Sequence, residues 1–252
     1  MFENNAAMRD YSAWFNGEQD AQRYTRIMLV CYALIYGQFA LGLAGVIPLW
    51  LLWFTAPILV VRWGFALHEL FHLRTAPEAD PITRLLPLVL TPFSLGYKEN
   101  RAHHFLHHQH MAIPADSEYF QLQGNKIRGF INALISPEQA FMRWIKREPI
   151  DAEFIIGVLL RLALFAGLVR LSGAAFWWYW LPIRLVYGLA NYAFVYTLHR
   201  RGEAYGVFRI KLAAWQQTLF GLLFGKDALL GTCYHDVHHQ YPRVSAYRLP
   251  DI

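Results

Sequence analysis

The chain has 252 residues, of which 56% are hydrophobic and only 16% charged, against roughly 25% charged in ordinary soluble domains. Its 9 Trp, 14 Tyr and 18 Phe equal in number all of its charged residues, 23 Lys and Arg with 18 Asp and Glu; water does not solvate such a chain unless lipid covers it, which excludes a soluble globule. The net charge of +5 is mild and its cations lie singly or in pairs between apolar runs, so no nucleic-acid footprint is present.

At the N-terminus, Glu3, Asp10, Glu18 and Asp20 precede the first apolar run. This is not the basic leader of a secretory signal, and the first hydrophobic segment is expected to stay in the mature protein. From Ile27 to Val61 there is no Asp, Glu, Lys or Arg for 35 residues, about 52 Å as helix. Division at Gly45-Val46-Ile47-Pro48 gives two helices, the second running through Arg62 to about Leu67, each long enough for a bilayer core of roughly 30 Å. A second apolar block from Phe154 to Leu198 divides around Ser172-Gly173. There Trp177, Trp178, Tyr179 and Trp180 suit an interfacial belt, and Pro182 is placed in the first turn of the fourth helix.

The predicted fold is therefore all-α and integral to the membrane: four transmembrane helices in two hairpins, with a cytoplasmic helical cap, in one domain spanning residues 1–252. Two hairpins put the N-terminal tail, residues 68–153 and the C-terminal tail on one side. Arg23, Arg26, Arg74, Lys98, Arg101, Arg143, Lys146, Arg147, Arg200 and Arg201 flank that side, while the opposite turns offer mainly Arg170 and Arg184; the positive-inside rule makes the shared side cytoplasmic. The segments Ile82 to Tyr97 and Leu219 to Gly231 are apolar but too short to span, and read as interfacial or re-entrant. Arg161 falls near the middle of the third span, where a lipid-facing charge costs about 2.5 kcal/mol or more, so it is expected to face protein. Cys31 and Cys233 form neither a disulfide framework nor a zinc pattern and are read as bystanders in a reducing compartment.

Eight of the 11 histidines fall into three clusters, all on the inferred cytoplasmic side. His68 and His72 form an i, i+4 pair on one helix face. The second and third clusters, His104-x-x-His107-His108 and His235-x-x-His238-His239, share the form H-x-x-H-H, in which three donors of a helix are expected to converge on one side. Neutral imidazole suits iron, zinc, copper and nickel. Eight or nine such ligands exceed the needs of one ion and imply two metals, and no cysteine cluster suggests structural zinc. His68-Glu69-Leu70-Phe71-His72 also fits the metalloprotease pattern H-E-x-x-H, but a zinc peptidase needs one further ligand rather than six.

In this arrangement the chain resembles the membrane fatty acid desaturase and hydroxylase superfamily, whose three histidine boxes hold a non-haem di-iron centre. The first box resembles H-x(3,4)-H. The stretch from Arg101 to His108 resembles R-x-x-H-x-x-H-H, and His235 to Pro242 with the following Tyr247-Arg248-Leu249-Pro250 resembles H-x-x-H-H-x-x-P with its trailing Y-R-L-P. The resemblance implies His68, His72, His104, His107, His108, His235, His238 and His239 as ligands of two iron ions. It adds His199, at the end of the fourth span, as a ninth; the Asn that relatives such as stearoyl-CoA desaturases carry one turn earlier is replaced by Val195, with Asn191 two turns back. Asp116, Glu118 and Asp236 are candidates for carboxylates that orient the imidazoles. His103 and His110 are read as supporting or surface groups, with His103 able to shift the register of the second box.

The implied chemistry is dioxygen-dependent attack on an unactivated C–H bond of a lipid, most simply by a fatty-acyl desaturase. A fatty-acyl hydroxylase or a carotenoid ketolase or hydroxylase would use the same boxes. The chain has no haem-binding domain, no four-cysteine iron–sulfur pattern and no G-x-G-x-x-G unit, so a separate electron donor is implied, a ferredoxin or small cytochrome with its reductase. A reading from another class is a non-enzymatic multi-pass protein that binds metal for transport or sensing. Transport would place ionisable ligands within the spans rather than at their ends.

Overall fold

The computed structural model describes residues 10–85 and 91–252. Among these the elements are helical apart from one short hairpin: α1 (Glu18–Leu43), α2 (Leu52–Leu73), α3 (Pro81–Leu85), α4 (Tyr97–His110), α5 (Tyr119–Leu122), α6 (Lys126–Leu134), α7 (Ser136–Arg147), α8 (Ala152–Ser172), α9 (Phe176–Asn191), α10 (Thr197–His199), the antiparallel pair β1 (Arg200–Arg201) and β2 (Ala204–Tyr205), then α11 (Ala214–Phe224), α12 (Lys226–Cys233) and α13 (His235–Gln240). Of the element expected over Ile82 to Tyr97, residues 86–90 lie outside the described residues.

Three helical stretches are long and apolar enough to cross a membrane: Glu18–Leu43, Leu49–Leu73 and Ala152–His199. The third covers 48 residues, which as one straight helix would reach about 72 Å, more than twice a bilayer core. It is interrupted after α8, where Gly173 takes φ +53°, a left-handed value that favours glycine. The helix that follows starts at Phe176, which corrects the expectation for Pro182: the proline is internal to α9 and buried, and the Trp177–Trp180 stretch is itself helical.

Packing follows the helical period. On α1 the buried stripe Ala21, Tyr24, Met28, Cys31, Ile35 and Phe39 repeats every three or four residues and meets Leu52, Ala56, Val60 and Trp63 of α2, the pattern of a helix with one face in a core. Thr55 donates from Oγ1 to Gln38 Oε1 at 2.7 Å, and Tyr179 of α9 donates to Tyr36 at 3.0 Å, polar pairs of the kind that bind helices together in lipid. By contrast α8 buries only Phe154, Gly157 and Arg161; Ile156, Leu159 and Leu171 are exposed apolar surface.

Arg161 faces protein, as a charge in this position must. It is 1% exposed and sits across Gly96 from the buried Glu99 of α4. A Cβ at Gly96 would lie 2.7 Å from Glu99 Oε2 and 3.6 Å from Arg161 Nη1. Arg184, counted from sequence among the charges of the outer turn, is instead buried in α9 and paired with Glu138 of α7. A side chain long enough to reach back along its helix can satisfy its charge inside the protein rather than at the turn.

The segment expected as one interfacial element from Leu219 to Gly231 is two helices, broken at Gly225, where φ is +93°. None of α11 is buried, and Trp215, Leu219 and Leu222 are exposed, as suits a helix lying in an interface. Beyond the break α12 is anchored by Asp227, 2% exposed, which pairs with Arg62 of α2 at 2.8 Å and with Arg23 of α1 at 3.6 Å. Near the C-terminus a 3₁₀ turn over Ala246–Asp251 buries Leu249 against this unit. Strand-like bonds join its approach to the N-terminal segment: Asn16 N–H donates to Arg243 O, and Ser245 N–H to Trp14 O, both at 2.9 Å.

α6 meets α9 and the turn that follows it through small residues. A Cβ at Gly188 would come within 3.0 Å of Leu134 Cα, and one at Gly129 within 2.5 Å of the Tyr196 ring. We therefore expect Gly188→Ala to cost about 1–3 kcal/mol by overpacking α6 against α9, whereas Gly37→Ala, whose Cβ meets nothing within 4 Å, leaves stability unchanged or improves it. Thermal unfolding of the two purified variants checks this, and equal midpoints would refute it. Asp227→Ala is expected to cost about 3 kcal/mol, because two guanidinium groups lose a buried partner; a midpoint equal to wild type would show that α12 is held by apolar contact alone.

Candidate metal centre

The histidines arrive on four elements. The C-terminal end of α2 carries His68 and His72, α4 carries His104, His107 and His108, α10 carries His199, and α13 carries His235, His238 and His239. His199 is aimed by a π-helical turn over Tyr192–Tyr196, one of the wide turns that occur in helices at functional sites.

The structure brings all nine together, in two groups. His68, His72, His104, His108 and His238 form one; His107, His199, His235 and His239 form the other. In each group one ring nitrogen per histidine lies within 4.8 Å of every other. The expectation that each H-x-x-H-H box keeps its three donors on one side is corrected. The i, i+4 pair of each box stays in one group, and the i+3 histidine, His107 or His238, joins the other. His110 and His103 belong to neither group.

Partners on the far side of the rings fix several of them. His107 donates from Nδ1 to Asp116, at 3.0 and 2.9 Å from its two oxygens. Asp116 is buried and also accepts the N–H groups of Ala112 at 2.7 Å and Glu118 at 2.8 Å. That clamp holds Ala112 at φ +59°, a left-handed conformation uncommon for residues other than glycine. His199 donates from Nδ1 to the carbonyl of Val195 at 2.9 Å, so the backbone one turn earlier fixes its ring. His68 donates from Nδ1 to Glu69 at 3.2 Å, and Glu69, 2% exposed, accepts from Asn16 at 3.2 Å.

Two other candidates take different roles. Asp236 turns away from the histidines and pairs with Arg209, at 3.1 Å from each oxygen. Asn191 donates to Ser136 at 2.7 Å. Glu118 lies 3.9 Å from His103 Nδ1. Sequence reasoning passed over Glu69 and Asn16; the signal for Glu69 was an acidic residue inside a box on an otherwise apolar helix, and for Asn16 there was none.

Electrostatics suit metal binding. Burial first, and then the mutual repulsion that charged rings would feel, holds His104, His108, His235, His238 and His239 well below the ordinary imidazole range, so each is neutral with a free lone pair. His107 is different: burial pushes it down, but Glu118 and Asp116 outweigh that and raise it. Burial pushes Asp116 up, and its bonds from His107 and two backbone N–H groups outweigh that and hold it below the usual carboxylate range.

With Nδ1 committed as donor, His107 and His199 direct their Nε2 lone pairs at one another across 3.2 Å, and His199 and His239 approach at 3.3 Å, His239 and His235 at 3.1 Å. One proton would satisfy one such pair; four mutually close nitrogens are satisfied together by a metal ion. In the five-histidine group Nε2 of His68, both nitrogens of His108 and Nε2 of His238 are buried without any partner among the described residues, and His72 and His104 stand 2.9 Å apart at Nε2. Spacings near 3 Å are those of neighbouring donors around an ion with bonds of about 2.0–2.1 Å.

Five of the nine, His68, His104, His107, His199 and His235, form part of the wall of a cavity of about 430 Å³, within the size range of small-molecule sites. Its lining includes apolar residues such as Val60, Trp63 and Leu67 of α2 with Phe220 and Phe224 of α11, and polar residues of α4, α5 and α7 with Asn191 of α9.

Comparison with known proteins gives one result. A search of curated proteins and of solved structures returns no match, whereas the family model for fatty acid desaturase matches residues 46–252, all three histidine boxes included. With a match over more than half its length, two histidine groups able to hold metal and three helices able to cross a bilayer, the chain belongs to the fatty acid desaturase family: it is an oxidoreductase of the desaturase and hydroxylase kind, acting on lipid as an integral membrane protein.

Proposed function

We propose that the protein is a multi-pass, di-iron, dioxygen-dependent lipid oxidase, and that its reaction is the introduction of a double bond into a fatty-acyl chain. The observation that carries this is the meeting of nine histidines, in groups of five and four, at the wall of a largely apolar cavity. Each group would hold one iron ion, and the pair supplies the power to activate dioxygen against an unactivated C–H bond. The chain's own residues do the rest. Val60, Trp63, Leu67, Phe220 and Phe224 remove a hydrocarbon segment from water. The five histidines on the wall present both groups to the carbon lodged there. Asp116, Glu69 and the Val195 carbonyl hold the rings that must not turn.

In this reading Ala152–His199 crosses the bilayer twice, turning at Gly173, so that four spans return both tails and residues 68–153 to the cytoplasmic face. The break between α8 and α9 and the weight of Lys and Arg near the histidines support that topology. A separate ferredoxin or small cytochrome delivers electrons there. A hydroxylase or carotenoid ketolase would use the same histidines and differ in the fate of the carbon once its first hydrogen has been removed.

Metal analysis of the purified protein is expected to give two irons per chain; a single zinc would replace this reading with a hydrolase. Expressed in a membrane host with a compatible reductase, wild type is expected to produce lipids lacking two hydrogens that are absent with His238→Ala, as read by mass spectrometry of total lipid and pigment extracts. A gain of oxygen instead moves the assignment to hydroxylase or, on a carotenoid, ketolase. Asp116→Asn is expected to weaken iron retention by about 10–100-fold in chelator competition, while Asp236→Asn, whose carboxylate serves Arg209, leaves it as in wild type. Equal retention in all three proteins would remove Asp116 from the centre.

A further inference from the structure

The cavity lining is not wholly apolar, and a hydrocarbon substrate explains only its apolar part. Besides the apolar residues of α2 and α11, the lining includes His103, Glu118 and Gln121, none of them in either histidine group. They come from the middle of α4, the residue that precedes α5 and α5 itself, tied together by the Ser117 hydroxyl, which donates to His103 O at 2.6 Å, and by Gln121 N–H, which donates to Glu118 O at 2.9 Å.

Two polar atoms of these residues lack a partner. Gln121 is 4% exposed and its Oε1 is buried without a hydrogen bond; His103 Nε2 is likewise buried and unpaired, while its Nδ1 stands 3.9 Å from Glu118, too far for a good bond. Buried polar groups in native structures find partners, and one left unmade costs about 1–3 kcal/mol. An amide and an imidazole that line a cavity with one buried polar atom each left unpaired are waiting for something that enters it.

We propose that His103, Glu118 and Gln121 form a subsite for an uncharged hydroxyl group of the substrate, so that the lipid oxidised is one carrying an alcohol oxygen close to the carbon attacked. The choice among oxygen functions follows from charge and from donor and acceptor count. A hydroxyl both donates and accepts, and therefore satisfies the Gln121 amide in either orientation and the His103 ring in either tautomer. A carbonyl oxygen accepts only, and would leave an amide oxygen facing it unpaired. A carboxylate would meet the Glu118 carboxyl and the Gln121 oxygen, both acceptors. A plain hydrocarbon would leave both atoms as they are.

The inference rests on the cavity being the lipid site, and Gly64 allows the two to be tested apart. Gly64 is part of the lining and a Cβ there meets nothing within 4 Å, so Gly64→Phe projects a ring into the space. Binding of radiolabelled dodecan-1-ol, dodecane and dodecanoate to the detergent-purified, iron-loaded protein is measured by equilibrium dialysis, with partition into protein-free micelles subtracted. Wild type is expected to bind the alcohol about tenfold more tightly than either of the others, the worth of one to two hydrogen bonds. Gln121→Leu should bring the alcohol to the level of dodecane without weakening dodecane, and Gly64→Phe should abolish binding of all three. Equal binding of alcohol and alkane by wild type, with Gly64→Phe still blocking both, overturns the hydroxyl subsite and leaves the function standing. Binding that Gly64→Phe does not change overturns both.

Discussion

The angular step of the α-helix governs this site. Residues four apart are separated by about 40° around the axis, and the residue three along falls about 60° to the other side. A box of the form H-x-x-H-H therefore cannot aim all its imidazoles at one point. It holds two donors toward one centre and gives the third to the next. His104 with His108 and His235 with His239 are such pairs, and His107 and His238 are the crossing members. The second and third boxes thus each serve both groups; the five-histidine group needs α2, α4 and α13 to meet, and the four-histidine group needs α4, α10 and α13. Much of the fold follows from that requirement.

Bringing nine imidazoles into a dry interior opposes folding, since every ring loses water and those with no metal have only each other. The surrounding structure offsets this with fixed polar attachments at the edges of the centre. Asp116 ties the second box to the turn after α4, Asp227 ties the approach to the third box onto α1 and α2, and Glu69 ties the first box to Asn16. Each carboxylate is buried and each has partners, so these are satisfied charges rather than stored strain. Apolar packing sets where the helices run; these attachments set how the rings are turned.

The sequence displayed the identity of the nine histidines and their association with span ends, because ligand type and local spacing are written in the chain itself. His199 was found only through the resemblance, since a lone histidine between Leu198 and Arg200 carries no spacing signal. The division of the boxes between two groups was missed although the helical step within H-x-x-H-H already parts the third histidine from the i, i+4 pair; which group each then joins depends on where the helices stand relative to one another. Asp236 illustrates the same limit: it is adjacent to a ligand in sequence, yet the helix carries it to the opposite face and Arg209. Asp116 could be singled out because it follows its box closely in the chain, and it is hydrogen-bonded to His107 of that box. For Arg161 the polarity argument sufficed to say that it faces protein, but its neighbour Glu99 lies on a different element, beyond any local pattern.

The bonds between the first and last segments of the fold set an order of assembly. Trp14 and Asn16 are made before the histidine boxes, Arg243 and Ser245 after them, and the two meet beside Glu69 and the first histidine box. Until the later segment leaves the ribosome, Asn16 lacks the neighbours that fix it and the third box has not yet arrived. The helices that carry the first two boxes are therefore made before the segment that completes the two groups, and the histidines meet only once the third box has joined them.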